Sequence, residues 1–321
     1  MIHFYVYNGD ADGLCALQQL RLAEPGDATL VSGVKRDIRL LKRVDAARGD
    51  RVTVLDISLD QNRAELQQLL ERGVFVRYFD HHFAGELPCS GLLESYIDEA
   101  PGVCTSTLVD RYLGGRYRKW AIVAAFGDNL PGIGTDMARN CGIDEATTVT
   151  LRMLGTYLNY NAYGDSISDL HFDPKALADA MLPYADPADF VKRSDVYARL
   201  SAGYEQDMRK ARDLKPMNQV PGAMIVMLPD EPWAKRAIGV YANELIRSAP
   251  DSAVAILSPN SRGGYVASVR VPVARAVGAD EFCRRFETGG GRKLAGGIDH
   301  LPRAEVDHFA SAFRACFGIS R

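Results

Sequence analysis

Four short apolar runs, spaced by helix-length stretches, constrain the first third of this chain more than any other feature. The runs are IHFYVY (2–7), ATLVS (28–32), RVTVLDI (51–57) and VFVRYF (74–79). Between them lie a stretch with apolar Leu14, Leu17, Leu20 and Leu22, one with Ile38, Leu41 and Val44, and one over 59–73. The last has Asp60 as its N-cap candidate and Gly73 as its stop. Strands alternating with helices of this length define βαβ units and a parallel sheet. The strands are apolar throughout, as in sheets covered on both faces. The expected fold class is α/β, with a Rossmann-like parallel sheet at the N-terminal end.

Further along, residues 103–160 read as mostly helical, and 160–195 are broken by Gly164, Pro174, Pro183 and Pro187. A helix is expected over 194–212. The stretch DLKPMNQVPG (213–222) reads as a linker, because two prolines and a glycine resist regular structure. Beyond it, AMIVML (223–228), a helix over about 233–248, SAVAIL (252–257) and YVASVRV (265–271) make a second, smaller α/β unit. The length of 321 residues fits two domains. Their expected bounds are 1–212 and 223–321.

A chain 47% hydrophobic and 25% charged can bury an ordinary core. Its net charge of −3 argues against a global field that gathers long nucleic acid. The six cysteines form no CxxC pair, which speaks against a zinc–thiolate site or a disulfide framework. MIHFYVYNGD lacks the basic start of a signal peptide, and WAIVAAF (120–126) is too short to cross a bilayer. A cytoplasmic protein without a membrane partner is expected.

The strand ends carry the chemistry. The first runs into NGDADG, with Asp10, Asp12 and Gly13. The third ends at Asp56, and the fourth at Asp80, His81 and His82. In a parallel sheet these ends share one edge, beyond which ligands bind. AAFGDN adds Asp128 after an apolar run. Clustered carboxylates repel and are costly to desolvate, so a divalent cation would neutralise them. Oxygen ligands with an imidazole suit Mn²⁺ or Mg²⁺. Four carboxylates and His81 suffice for two ions sharing a carboxylate, an arrangement suited to phosphoester hydrolysis.

These motifs together resemble the DHH superfamily of phosphoesterases with a C-terminal DHHA1 domain, the group of nanoRNases, RecJ-like exonucleases and exopolyphosphatases. NGDADG, VLDIS, FDHH and AAFGDN look like its four catalytic motifs, in order. TGGGRKLAGGI (288–298) looks like the DHHA1 glycine motif, and YVASVRV like the strand before it. The resemblance implies that Asp10 binds a first metal and Asp12 a second, with Asp56 bridging. It implies that His81 and Asp128 complete the second site, that His82 faces the substrate phosphate, and that Asp80 orients the pair. Ser268, Arg270, Gly289, Gly290, Gly291 and Arg292 are the implied substrate-holding set.

Two departures stand out. Many relatives carry a histidine four residues before Asp10, where this chain has Val6; others carry histidine or aspartate two before, where it has Asn8. Asn8 is a neutral oxygen ligand at best, so the first metal is expected to bind weakly or to need substrate. Arg292 stands where the glycine motif commonly continues with histidine. Lys35 and Arg36 read as the solvated start of a helix, with a place at the entrance to the site as the alternative.

The resulting expectation is a metal-dependent phosphodiesterase or phosphatase with two Mn²⁺ or Mg²⁺ ions. It would cleave short nucleotides in the cleft between its domains: oligoribonucleotides, linear dinucleotides or 3′-phosphorylated nucleotides. Long duplex DNA is not an expected partner, and a homodimer is left open. The rival readings are a polyphosphate-cleaving phosphoanhydride hydrolase and a non-catalytic nucleotide sensor with a weakened first metal site.

Overall fold

The computed structural model describes residues 1–319 and divides the chain into two compact units, Met1–Ala202 and Gly203–Arg321. In the first, β1 (His3–Tyr7), β2 (Thr29–Val31), β3 (Arg51–Leu55), β4 (Phe75–Asp80) and β5 (Leu93–Ile97) form one sheet. Their order is β2-β1-β3-β4-β5 and every pairing is parallel. Register explains the continuous apolar runs. Phe4 pairs with Val52 and Val52 with Val76, while Val6 pairs with Val54 and Val54 with Tyr78. With a side-chain period of two, all six face one side. There they pack in one core with Leu66, Leu69 and Leu70 of α2 (Arg63–Glu71). The opposite face meets α1 (Ala11–Ala23) and α3 (Thr105–Tyr112).

The helical part continues with α4 (Arg118–Gly127), α5 (Pro131–Asn140) and α6 (Glu145–Asn161). WAIVAAF lies wholly inside α4 and is buried, so its hydrophobicity is that of a core helix. Gly127 lets three helices meet: a Cβ there would come within 2.3 Å of Ala11 Cβ and 2.8 Å of the Gly155 carbonyl. Two of the prolines that mark irregularity in the sequence begin helices. Pro174 opens α7 (Pro174–Met181) and Pro187 opens α8 (Pro187–Arg193), each behind a capping aspartate, Asp173 or Asp186. The helix α9 (Asp195–Arg212) carries the boundary between the units.

The expected helix over 38–44 is only a 3₁₀ turn at Leu40–Arg43. The buried Asn62 side chain holds this segment instead, donating to the carbonyls of Ile38 (2.6 Å) and Ser58 (2.9 Å) and accepting from Leu41 N–H (3.3 Å). Strand β5 has no counterpart in the sequence reading. As a half-buried edge strand it lacks the apolar density of its neighbours.

The second unit carries β6 (Asn218–Val220), β7 (Ala223–Met227), β8 (Ala253–Pro259), β9 (Tyr265–Arg270), β10 (Gly289–Arg292) and β11 (Ala295–Leu301). They form one mixed sheet in the order β10-β11-β9-β8-β7-β6. The parallel pair β7–β8 is joined through α10 (Pro232–Ser248). Part of the stretch read as a linker is thus β6, hydrogen-bonded antiparallel to β7. Two further helices, α11 (Ala279–Cys283) and α12 (Val306–Phe317), bring Phe282, Phe286, Phe309, Phe313 and Phe317 together. Their ring centroids lie 5.0–5.9 Å apart, and the 309-313-317 spacing is one helix face.

Candidate metal centre

In the strand order β2-β1-β3-β4-β5 the chain first steps one way from β1 and then returns to its other side. The crevice beyond the carboxyl ends of β1 and β3 is therefore the topological switch point, where open α/β sheets bind ligands. The residues that leave the sheet there are Asn8 to Asp12 after β1, Asp56 after β3, and Asp80 to His82 at the end of β4.

Each is fixed by a local device. Asp10 is the N-cap of α1, and its Oδ1 accepts from the N–H groups of Asp12 (3.0 Å) and Gly13 (3.1 Å). Gly13 is required here, because a Cβ would fall 2.2 Å from the Asn8 carbonyl oxygen. Asp12 projects from the first turn of α1 onto the N-terminus of α3, where Thr105 N–H and Ser106 N–H donate to its two oxygens at 2.7 Å each. The unpaired donors and dipole of that helix end favour the carboxylate. Asp56 has φ +59°, in the left-handed region that a non-glycine residue adopts at a cost. Thr105 Oγ1 donates to its Oδ1 at 3.3 Å. Asp128 ends α4, and Asn129 (φ +61°) turns the chain away behind it.

His81 joins these carboxylates. Its Nδ1 donates to the Val103 carbonyl (2.8 Å), which leaves Nε2 as the nitrogen facing them. Nε2 lies 3.5 Å from Asp56 Oδ1, 3.8 Å from Asp128 Oδ2 and 3.9 Å from Asp12 Oδ2. Among the described residues none donates a hydrogen bond to the buried Oδ2 of Asp128. A buried acceptor facing an imidazole and other carboxylates suits a cation. Ligand atoms of Asp12, His81 and Asp128 lie close enough together for one hard divalent ion with oxygen and imidazole ligands, and those of Asp56, His81 and His82 form a second such group around the same imidazole. His82 differs: its Nδ1 is hydrogen-bonded to Asp80 Oδ1 at 2.7 Å, and its side chain is 40% exposed.

Electrostatics agree with this division. Burial and the charges of Asp10 and Asp12 push the Asp56 carboxyl well above the usual carboxylate range. Burial likewise raises Asp128, with Lys35 and His81 opposing and Asp12 adding to the rise. Burial alone would lower His81, yet hydrogen bonding and charge from Asp56, with Asp12 and Asp128, push it up to about 10. The cluster attracts positive charge and takes a proton when nothing better is present.

Three participants were not legible as such. Lys35 does not start a helix. It ion-pairs with Asp10 Oδ2 and donates to Asn159 Oδ1 at 3.0 Å. Burial disfavours its charge, but Asp10, Tyr163 and Asp128 outweigh this and raise its pKa. Asn159 gave no sequence signal. The Thr105–Ser106 start of α3 gave a weak one in the polar run CTST. Asn8 has both ends of its amide engaged: Oδ1 accepts from Asp10 N–H (3.2 Å) and Nδ2 donates to the Lys35 carbonyl (3.3 Å).

The implied substrate-holding residues lie in the second unit. Ser268 and Arg270 share a face of β9, and Arg270 donates to Ser268 Oγ (3.1 Å) and Asn243 Oδ1 (2.8 Å). Gly289, Gly290, Gly291 and Arg292 form β10, paired with β11. Two of the glycines answer to packing. A Cβ on Gly289 would meet the Cys283 carbonyl at 1.7 Å, and Gly291 has φ +134°. Gly290 borders open space, and Arg292 is exposed.

No protein-family profile matches the sequence, and no curated protein matches it. Solved structures do match. The chain is similar to exonuclease RecJ bound to manganese, with 20% identity and a TM-score of 0.63 over 98% of this chain and 89% of that one. It is similar to the DHH domain of a protein assigned to a family of ribosomal proteins, with 13% identity and a TM-score of 0.64 over 98% and 86%. It is also similar to the pGpG-specific phosphodiesterase PggH of Vibrio cholerae, with 13% identity and a TM-score of 0.56 over 97% of each chain. The chain has the fold of these DHH-type proteins, as the motif resemblance anticipated. No helix among the described residues is long and apolar enough to cross a membrane.

Proposed function

We propose that this protein is a divalent-metal-dependent phosphoesterase acting on short nucleotides. The observation that carries the reading is the convergence of Asp12, Asp56 and Asp128 on His81 Nε2 at the switch point of the sheet. The fold it shares with an exonuclease and with a dinucleotide phosphodiesterase supports phosphoester chemistry. Ser268, Arg270 and the 289–292 hairpin strand are the substrate-holding candidates, and Arg270 can engage a phosphate through its planar fork.

A bound Mn²⁺ or Mg²⁺ would supply Lewis-acid stabilisation of phosphoryl charge and ready access to a hydroxide nucleophile. The residues do the rest. Asp12, Asp56, His81 and Asp128 would hold the ion. Asp80 fixes the ring of His82 through Nδ1–H, so Nε2 is the nitrogen left for substrate: it accepts a proton as the neutral ring and donates one to a phosphate or leaving-group oxygen as the imidazolium.

The test uses metal-stripped protein resupplied with Mn²⁺ and offered linear dinucleotides, short RNAs, a 3′-phosphorylated nucleotide and polyphosphate. Turnover of at least one nucleotide is expected. His82→Ala should lower kcat by about 10²–10⁴-fold while Mn²⁺ binding persists. Cleavage of polyphosphate alone selects the phosphoanhydride reading, and nucleotide binding without any turnover selects the sensor.

A further inference from the structure

The first of the two metal positions implied by the motifs does not fit a second ion. Val6 offers no donor atom, and the oxygen of Asn8 is already taken by Asp10 N–H. Asp10 Oδ1 caps α1, and its Oδ2 pairs with the Lys35 ammonium, so its charge is already met by a cation, whereas the Asp12 oxygens meet only neutral backbone N–H groups. Positive charge is already built in at this place.

Lys35 is a positioned residue. Its N–H donates to the Ala162 carbonyl at 2.9 Å, and its carbonyl accepts from the Asn8 side chain at 3.3 Å. Its ammonium lies 5.7 Å from the centre of the Tyr163 ring. Two of its three donors go to Asp10 and Asn159, which leaves one. The side chain as a whole keeps 25% of its surface exposed.

We propose that the centre uses one divalent cation, held by Asp12, Asp56, His81 and Asp128, and that the Lys35 ammonium, fixed between Asp10 and Asn159, replaces the second cation and binds a phosphoryl oxygen of the substrate. This rests on the phosphoesterase reading. A fixed ammonium carries one charge against two for a metal ion and coordinates no water. It therefore neutralises Asp10 and clamps substrate, and nucleophile generation stays with the one ion.

The experiment counts manganese in the full chain by calorimetry and by electron paramagnetic resonance, for wild type, Lys35→Met and Lys35→Arg. One ion per chain with the six-line spectrum of an isolated Mn²⁺ is expected for wild type and Lys35→Arg. In Lys35→Met, Asp10 is released and a second, weaker ion should enter, with the broadened signal of a coupled pair. The KM for substrate should rise at least tenfold in that variant and less in Lys35→Arg. Two ions in wild type overturn the inference and leave the phosphoesterase reading standing. No bound ion in wild type overturns both. One ion in all three proteins, with KM unchanged, overturns the role given to Lys35. If Lys35→Met does not fold, the wild-type count and the KM of Lys35→Arg still decide.

Discussion

Replacing Asp56 by asparagine is expected to stabilise the metal-free protein while removing its response to metal. The carboxyl is buried beside Asp10 and Asp12, and its pKa stands well above the ordinary carboxylate value. Each pKa unit of such a rise costs the ionised folded state about 1.4 kcal/mol. The attraction of His81 returns part of this. Asparagine keeps the Oδ1 that accepts from Thr105 and tolerates the +59° backbone angle, so the substitution isolates the charge. A net gain in stability, read as a higher Tm, is expected. With Mn²⁺ at one hundred times its Kd, wild type should gain about 2.7 kcal/mol and the variant almost nothing. Thermal melts with chelator and with Mn²⁺ read both effects. A metal-free Asp56→Asn protein that melts below wild type, or one that keeps the full Mn²⁺ shift, would refute the reasoning.

Two further perturbations probe the scaffold. Gly127→Ala drives a Cβ against Ala11 and the Gly155 carbonyl, and should destabilise by about 1–3 kcal/mol in urea unfolding; an unchanged midpoint would contradict the close meeting of α1, α4 and α6. His3 makes one acid-sensitive contribution to stability. Burial, then the charges of Arg77 and Arg51, lower it from 6.5 to about 4, so the folded chain binds fewer protons there than the unfolded one. Its contribution is complete above pH 6.5 and is lost as pH falls toward 4. Discounted for partial exposure, the loss is on the order of 1–2 kcal/mol. In His3→Gln the same pH scan of stability should be flatter over that window, and an unaltered slope would count against this assignment.

The first four strands were readable because each is an apolar run between helix-length spacers. The convergence of carboxylates and imidazoles was readable because these residues stand where those runs stop. What the sequence did not show depends on distance along the chain. Asn159 reaches Lys35 across 124 positions, and Thr105 and Ser106 reach Asp12 across more than 90. Such pairings have no local period to detect. For Lys35 the solvated reading outweighed a place at the site entrance for a related reason: a lysine after a strand looks solvated until Asp10 is placed beside it. The segment 38–44 failed differently, since the buried amide of Asn62 satisfies backbone groups that a helix would otherwise have paired.

Every group of the cluster, from Asp10 to Asn159, belongs to Met1–Ala202. Gly203–Arg321 contributes none of them. Natural or laboratory variation can therefore rewrite the second unit, glycine hairpin included, without altering the inventory of ligands. Under the proposed reading, substitutions in the second unit would retune the grip on substrate while the candidate ion-holding atoms of the first unit stay as they are.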